Sequence, residues 1–426
     1  MGKIQKIKGF ADMFGADAEK FTRMENAARE TFSRYGFEEL RLPILEKTEL
    51  FAKSIGEDTD VVGKEMYTFP DRKGRSLTMR PEATAGMCRA FIEGKVHQPG
   101  KVSKYFTFGP MFRYERPQKG RMRQFHQLDV ETFGAPEPEA DAELILMLAS
   151  FLESLGLAKL SVELNSLGCP ECRPAYRQSL IDFYNTFDTD LLCEDCRRRK
   201  DTNPLRVLDC KVPSCKELVQ DAPTVTDSLC QGCAEHFDAV KAILDASGVA
   251  YVVNPRLVRG LDYYQRTTFE VVSGDIGSQS SVAGGGRYDG LVKNLGGGDV
   301  CASGFAIGME RIALLLPDPE PERPDFHVAV VDEAATGPAL LLAQELRAAG
   351  KSGVADFAAG SMKSRLRAAG KSGARFCLIL GGAEVAEGTV TVKDMAEGGG
   401  QKTVSRSELI DIFEQNQTLP DELFKL

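Results

Sequence analysis

Phe108–Gly134 reads FGPMFRYERPQKGRMRQFHQLDVETFG. Alternating residues about Tyr105, Thr107 and Met111 lead into it, and Phe125, Gln127, Asp129 and Glu131 alternate at its far side, with Pro117 and Gly120 breaking the middle. A period of two on either side of a breaker predicts two strands joined by a long loop. Arg113, Arg116, Lys119, Arg121 and Arg123 crowd that loop in a chain whose formal net charge is −9. Cations so close repel one another unless an anion sits among them, so the loop points to a polyphosphate or an RNA end as its occupant.

Outward from the loop, 426 residues allow two or three domains. The chain is 42% hydrophobic and 27% charged, and no run approaches the ~18 apolar residues a membrane span needs, so no membrane partner is expected. The opening MGKIQKIKGFADMF lacks an apolar leader segment, and a cytoplasmic address is expected. The acidic balance argues against a general nucleic-acid coat, so any RNA contact is local.

Upstream, Phe21, Met24, Ala27, Ala28, Thr31 and Phe32 fall at helical spacing between Lys20 and Tyr35, with Gly36 placed as a C-terminal cap. FEELRLPILE reads as a strand passing through Pro43 into a second element. In LTMRPEATAGMCRAFI a short strand meets Pro81 and a helix follows, with Glu82 and Thr84 at the junction. There Glu82 suits either recognition of an amino group or the first turn of the helix, where an acid favours the dipole. Glu137–Leu155 has a helical period.

Eight of the eleven cysteines lie between Cys169 and Cys233, as CPEC (Cys169, Cys172), CEDC (Cys193, Cys196), CKVPSC (Cys210, Cys215) and CQGC (Cys230, Cys233). These spacings fit structural zinc held by four thiolates, and reduced, unliganded thiols are the alternative. The segment reads as an inserted subdomain. Beyond it come RGLDYY, holding Arg259, Tyr263 and Tyr264, and then AGGGRYDGL, whose three glycines suit a ligand cradle or a tight turn but not a dinucleotide fingerprint. GFAIGMERIALLL carries Glu310 and Arg311. After the linker PDPEPERPD, strand and helix patterns alternate, which predicts a small α/β domain with a mostly parallel sheet. The AAGKSG repeats at Ala348 and Ala368 lack the first glycine of a phosphate loop, since Glu345 and Arg365 stand there. SMKSR opens a helix that Ser361 would cap.

Arg113 and Glu115 followed by RQFHQ resemble motif 2 of the class II aminoacyl-tRNA synthetases. RGLDYY with AGGGRYDGL resembles the two motifs of the histidyl-tRNA synthetase family, and GFAIGMER resembles class II motif 3. The resemblance runs through nearly the whole chain in order. It implies an α+β catalytic core with an antiparallel sheet flanked by helices, in two parts (1–165 and 251–318). Between them lies the cysteine-rich insertion (166–250), and a C-terminal α/β anticodon-binding domain follows (325–426). It implies activation of histidine by ATP with Mg2+ and transfer to tRNA(His), with contacts to acceptor end and anticodon, in a homodimer built through motif 1.

By the same resemblance Arg113 and Arg259 are the catalytic residues. Histidine would be bound by Glu82, Thr84, Arg113, Gln127, Glu131, Arg259, Tyr263 and Tyr264. ATP would be bound by Arg113, Glu115, Arg121, Arg123, Phe125 and Arg311. The family often has glycine at Ala83, a departure that slightly crowds the backbone beside the pocket. A non-catalytic paralogue, the regulatory subunit of ATP phosphoribosyltransferase, shares the fold but lacks the C-terminal domain and usually loses arginines of the ATP site. A sensing module of the kind attached to translational-control kinases is a second alternative, without a kinase motif to support it.

Overall fold

The computed structural model describes residues 3–56, 59–96, 98, 100–157, 160–275, 281–320, 322–396 and 399–415. The end of the expected C-terminal domain, 416–426, lies outside the described residues. The chain divides into two compact units, Met1–Pro319 and Glu320–Leu426.

The first unit is built on an eight-stranded sheet, ordered Glu38–Glu39, Ser103–Phe112, Gln124–Phe133, Ala302–Gly308, Ser281–Arg287, Gln265–Val272, Ser161–Ser166 and Tyr251–Val253. It is antiparallel except at its two ends, where Glu38–Glu39 and Tyr251–Val253 join in parallel. The expected hairpin supplies its second and third strands, with Ser103 opposite Phe133 and Phe112 opposite Gln124. Alternation then sorts the side chains by face. Leu128 and Val130 enter a core shared with the helices Ala16–Arg34, Pro138–Ser154 and Gln231–Ser247, which contribute Phe32, Phe151 and Leu244 among others. Each such buried side chain contributes about 1.5–3 kcal/mol. Gln127, Asp129 and Glu131 point to the other face.

Three segments differ from their sequence reading. FEELRLPILE passes from one strand through Pro43 into a second, as read, but the two belong to different sheets: Glu38–Glu39 joins the large sheet, and Leu45–Lys47 joins an antiparallel three-stranded sheet with Ser76–Met79 and Tyr67–Pro70. Pro43 has no N–H to continue a ladder, and the Arg80 guanidinium donates to the Leu42 carbonyl at 3.1 Å between the two pieces. AGGG is not a turn but the middle of the strand Ser281–Arg287. The third difference is in the C-terminal unit. Its five-stranded sheet, ordered Gly353–Ala355, Phe326–Val330, Phe376–Leu380, Thr389–Asp394 and Gln401–Ser405, is parallel over the first three strands and antiparallel over the last two. The link from Leu380 to Thr389 is shorter than the dozen residues a parallel crossover needs.

In that unit Phe326, Val328, Leu342, Leu346, Leu378 and Val392 form a core of their own. Ser361 caps the helix Met362–Ser372, its hydroxyl accepting from the Ser364 N–H at 3.4 Å. Both AAGKSG copies run out of helices, with Gly350 and Gly373 at positive φ. A phosphate loop leads into one.

Residues 173–228 form short helices around Tyr176, Leu180, Tyr184, Val207 and Cys215. The helix Gln231–Ser247 leaves this group and lays Phe237, Val240 and Leu244 into the core beneath the large sheet. No helix among the described residues is long and apolar enough to cross a membrane.

Candidate active site

The sheet face opposite the core helices floors a cleft of about 570 Å³. Glu82, Thr84, Arg113, Glu115, Arg121, Phe125, Gln127, Arg259, Tyr263, Tyr264 and Arg311 all line it, although they come from four separate stretches of chain. Glu131 lies beneath, buried, accepting from Thr84 Oγ1 at 2.6 Å and from the Tyr288 hydroxyl. Arg123 is not part of the lining. Its Nε donates to the Glu115 carbonyl at 3.2 Å, and its guanidinium lies 3.9 Å from the Tyr114 ring centre.

Two glycines make the floor possible. Gly304 pairs with Glu131 across the sheet, and a Cβ there would collide with the Glu131 carboxylate and the Val130 carbonyl. Gly284 pairs with Glu270, and a Cβ there would occupy the position of the Arg259 guanidinium. That is the local reason for a glycine run inside a strand, where glycine otherwise weakens pairing.

Arg259 forms an ion pair with Glu270 and lies 5.5 Å from the Tyr264 ring centre. Burial works against its charge, but Glu270 and the two tyrosines outweigh burial and raise its pKa. Its Nε is buried without a hydrogen-bond partner. Arg113 is held separately, donating through Nε to the Pro81 carbonyl at 2.8 Å and lying 5.4 Å from the Phe125 ring centre. Arg311 donates to the Gly120 carbonyl at 3.3 Å and to the Ser281 carbonyl at 2.5 Å. Burial, then Arg121 and Arg113, lower its pKa. Arg121 pairs with Glu115, and its neighbours Gln118–Arg121 close a small turn whose tip is Lys119–Gly120. Several guanidiniums around one space suit a polyphosphate. Glu115, Glu270 and Glu310 border the same cleft and offer oxygens of the kind Mg2+ takes when it arrives with a nucleotide.

Burial dominates the titration of the polar floor. Burial raises Glu82, raises Asp129 well above the ordinary carboxyl range and brings Glu131 to about 8. It also raises Tyr263 and takes Tyr264 to about 12. Glu82 serves the helix Thr84–Glu93 directly, accepting from the Thr84 and Ala85 N–H groups at 2.8 and 3.0 Å. Both Asp129 oxygens and Gln127 Oε1 are buried with no partner. A buried polar group left unpaired costs about 1–3 kcal/mol. Such groups, facing a cleft, fit a small ligand with several donors.

Asp129, Glu270 and Tyr288 belong to this site and are absent from the residues chosen by sequence. Asp129 had a signal, since it shares the alternation of Gln127 and Glu131. Tyr288 adjoins the glycine run. Glu270 has none, because only its pairing opposite Gly284 brings it to Arg259.

Comparison with known proteins agrees across the chain. The family model for histidyl-tRNA synthetase matches residues 9–312, and that for the anticodon binding domain matches 325–416. The histidine–tRNA ligase of Maridesulfovibrio salexigens is 64% identical over 409 residues, covering 96% of this chain and 99% of the relative. That of Geobacter sulfurreducens is 51% identical over 396 residues, covering 93% and 96%. The crystal structure of apo histidyl-tRNA synthetase from S. aureus superposes with a TM-score of 0.80 at 32% identity, covering 97% of this chain and 100% of that one.

Proposed function

The chain belongs to the histidyl-tRNA synthetase family, and from that premise we propose the residues that carry its reaction. It activates histidine with ATP to histidyl-adenylate and pyrophosphate, then transfers histidine to the 3′ end of its tRNA. The family uses ATP with Mg2+ as substrate.

The observation that carries the assignment is that Arg113 and Arg259 line one cleft together with buried, unpaired polar atoms of Gln127 and Asp129. In-line attack of a carboxylate on the α-phosphate joins two anions, so the enzyme's task is to hold them together and offset the charge that develops. Arg113 holds the α-phosphate. Arg259, with Nε unpaired, bridges phosphate and substrate carboxylate. Phe125 stacks on the adenine, Glu115 contacts the nucleotide, and Arg121 and Arg311 take the phosphate tail. The position of Arg123 on Tyr114 supports a role in shaping the loop before any in binding phosphate.

The ammonium group of histidine is met by Glu82, Thr84, Gln127 and Asp129, and its imidazole by Glu131, Tyr263 and Tyr264. A site that satisfies both ring nitrogens rejects apolar amino acids, whose binding would leave these groups unpaired.

The 3′ end of the tRNA reaches the hairpin loop at Arg116–Arg121, and residues 325–426 read the anticodon. Arg197 and Arg198 are exposed for the acceptor arm, in longer surface pairs with Asp190 at 3.6 Å and Asp195 at 3.4 Å, whereas the less exposed Arg199 pairs with Asp60 at 2.8 Å. A homodimer in the cytoplasm completes the reading. Exposed Ile44, Leu45 and Phe69 on the small sheet support an interface there. The insertion carries structural zinc on its cysteines.

Exchange of labelled pyrophosphate into ATP, run with each of the twenty amino acids, tests the assignment. Histidine alone is expected to drive exchange. Silence with all twenty, from folded protein, would move the chain to the non-catalytic regulatory reading.

A further inference from the structure

The eight cysteines of the insertion fall into two groups that the order along the chain does not announce. Cys169, Cys172, Cys230 and Cys233 converge, as do Cys193, Cys196, Cys210 and Cys215, so that the second group is nested inside the first. Within each group the four sulfurs lie within 4.8 Å of one another, and no disulfide joins them. Sulfurs stand 3.7 Å apart at Cys169–Cys172, 3.8 Å at Cys169–Cys230 and 3.8 Å at Cys193–Cys210. A zinc ion at about 2.3 Å from four sulfurs makes a tetrahedron whose edge is about 3.8 Å. Backbone N–H groups point at the sulfurs, Cys230 N to Cys172 Sγ at 3.1 Å and Cys193 N to Cys215 Sγ at 3.2 Å.

What these groups hold is the loop that carries Arg259, Tyr263 and Tyr264. The inner group brackets residues 194–209. From within that bracket Arg206 donates to the Arg259 carbonyl at 2.9 Å and Asn203 Nδ2 to Asp262 Oδ1 at 3.0 Å. Arg173, the residue after Cys172 of the outer group, donates to the Tyr264 carbonyl. Before it, Leu167 and Gly168 exchange backbone hydrogen bonds with Arg266 at 2.7 and 2.9 Å. Cys193, Cys210 and Arg206 also line the cleft itself.

We propose that the chain binds two zinc ions, one in each four-cysteine group, and that they act as two clamps on the Arg259–Tyr264 loop. The inner clamp works through Arg206 and Asn203, the outer through Arg173. Neither ion touches substrate, because four thiolates close its coordination. Arg173 and Arg206 are positioning residues, and the clamp deepens the histidine-activation reading on which it rests.

Zinc is measured by atomic emission on the full chain purified without chelating resin. Two ions per chain are expected, falling to one in Cys196→Ser/Cys215→Ser and to one in Cys172→Ser/Cys233→Ser. One ion or none in the unaltered chain overturns the two-site proposal without recourse to variants that fold poorly. Arg206→Ala and Arg173→Ala are expected to keep both ions and the ATP KM while raising the histidine KM about ten-fold in pyrophosphate exchange, the scale on which groups supporting a site act. An unchanged histidine KM in both overturns the clamp. Absence of any exchange by the unaltered chain would instead sink the histidine-activation reading and leave the zinc count standing.

Discussion

Two clusters of buried charge sit in the same unit and behave in opposite ways. Arg287 is fully buried, and every nitrogen of its guanidinium has a partner: Asp141 at 2.7 and 3.2 Å, Asp289 at 3.1 Å, and the carbonyls of Ala135 and Glu137 at 2.9 and 3.1 Å. Asp141 also binds His236 Nε2 at 2.8 Å. In the cleft, Arg259 keeps an unpaired Nε and Asp129 two unpaired oxygens. A buried ionisable group with every polar atom satisfied by the protein serves the fold; one with polar atoms left unpaired beside a cleft serves a ligand. The titrations diverge accordingly. Burial alone would raise Asp141, yet His236 and Arg287 hold it below 3.8, whereas burial carries Glu131 up to about 8.

The sharpest test of the difference is Arg287→Ala. Removing one member of a buried ion pair costs about 3–5 kcal/mol, so denaturant unfolding is expected to show a loss on that scale. An unchanged midpoint would erase the distinction between the clusters. Next in size, Arg259→Ala is expected to slow histidine-dependent exchange about 10²–10³-fold while its unfolding curve and its ATP affinity stay nearly unchanged. Equal loss of ATP binding and turnover would show that Arg259 serves the nucleotide alone. Gly284→Ala, which presses on the Arg259 guanidinium, is expected to slow exchange about 10–100-fold through misplacement alone, and near-normal exchange would mean the guanidinium has room to shift.

The two clusters also part in their response to pH. Because Glu131 binds its proton more tightly folded than unfolded, the stability tied to that proton is complete below about 4.5 and is lost as pH rises through about 8. Asp141 has the reverse sign, contributing stability above 3.8 that is lost as pH falls through its lower folded value. Thermal melts of Glu131→Gln between pH 5 and 9 are expected to show a flatter decline than those of the unaltered ligand-free chain. Parallel curves would place the proton elsewhere.

The sequence made the hairpin and the helices around it legible, because alternation and clustered charge are local signals, while most of the cleft lining came from the resemblance of its motifs to a known family. What it withheld depended on long-range register. Gly304 opposite Glu131 and Gly284 opposite Glu270 explain the glycines only once the strands are paired. The same gap hid Glu270, the division of FEELRLPILE between two sheets, and the grouping of the cysteines. The resemblance sets Arg123 beside Arg121 among the ATP-binding residues, whereas its guanidinium turns to Tyr114.

Nesting of the two cysteine groups also has a history in time. A chain made from its N-terminus exposes Cys215 before Cys230, so the inner group can assemble while the outer is still missing half its members. The inner closure joins sulfurs 17 residues apart and the outer spans 58, a difference of about 1 kcal/mol in loop entropy if each closed alone. Once the inner group has formed, residues 193–215 are already drawn together, and the outer group closes across a shorter effective tether. Assembly is thereby given a direction, from the middle of the insertion outward to the loop it supports.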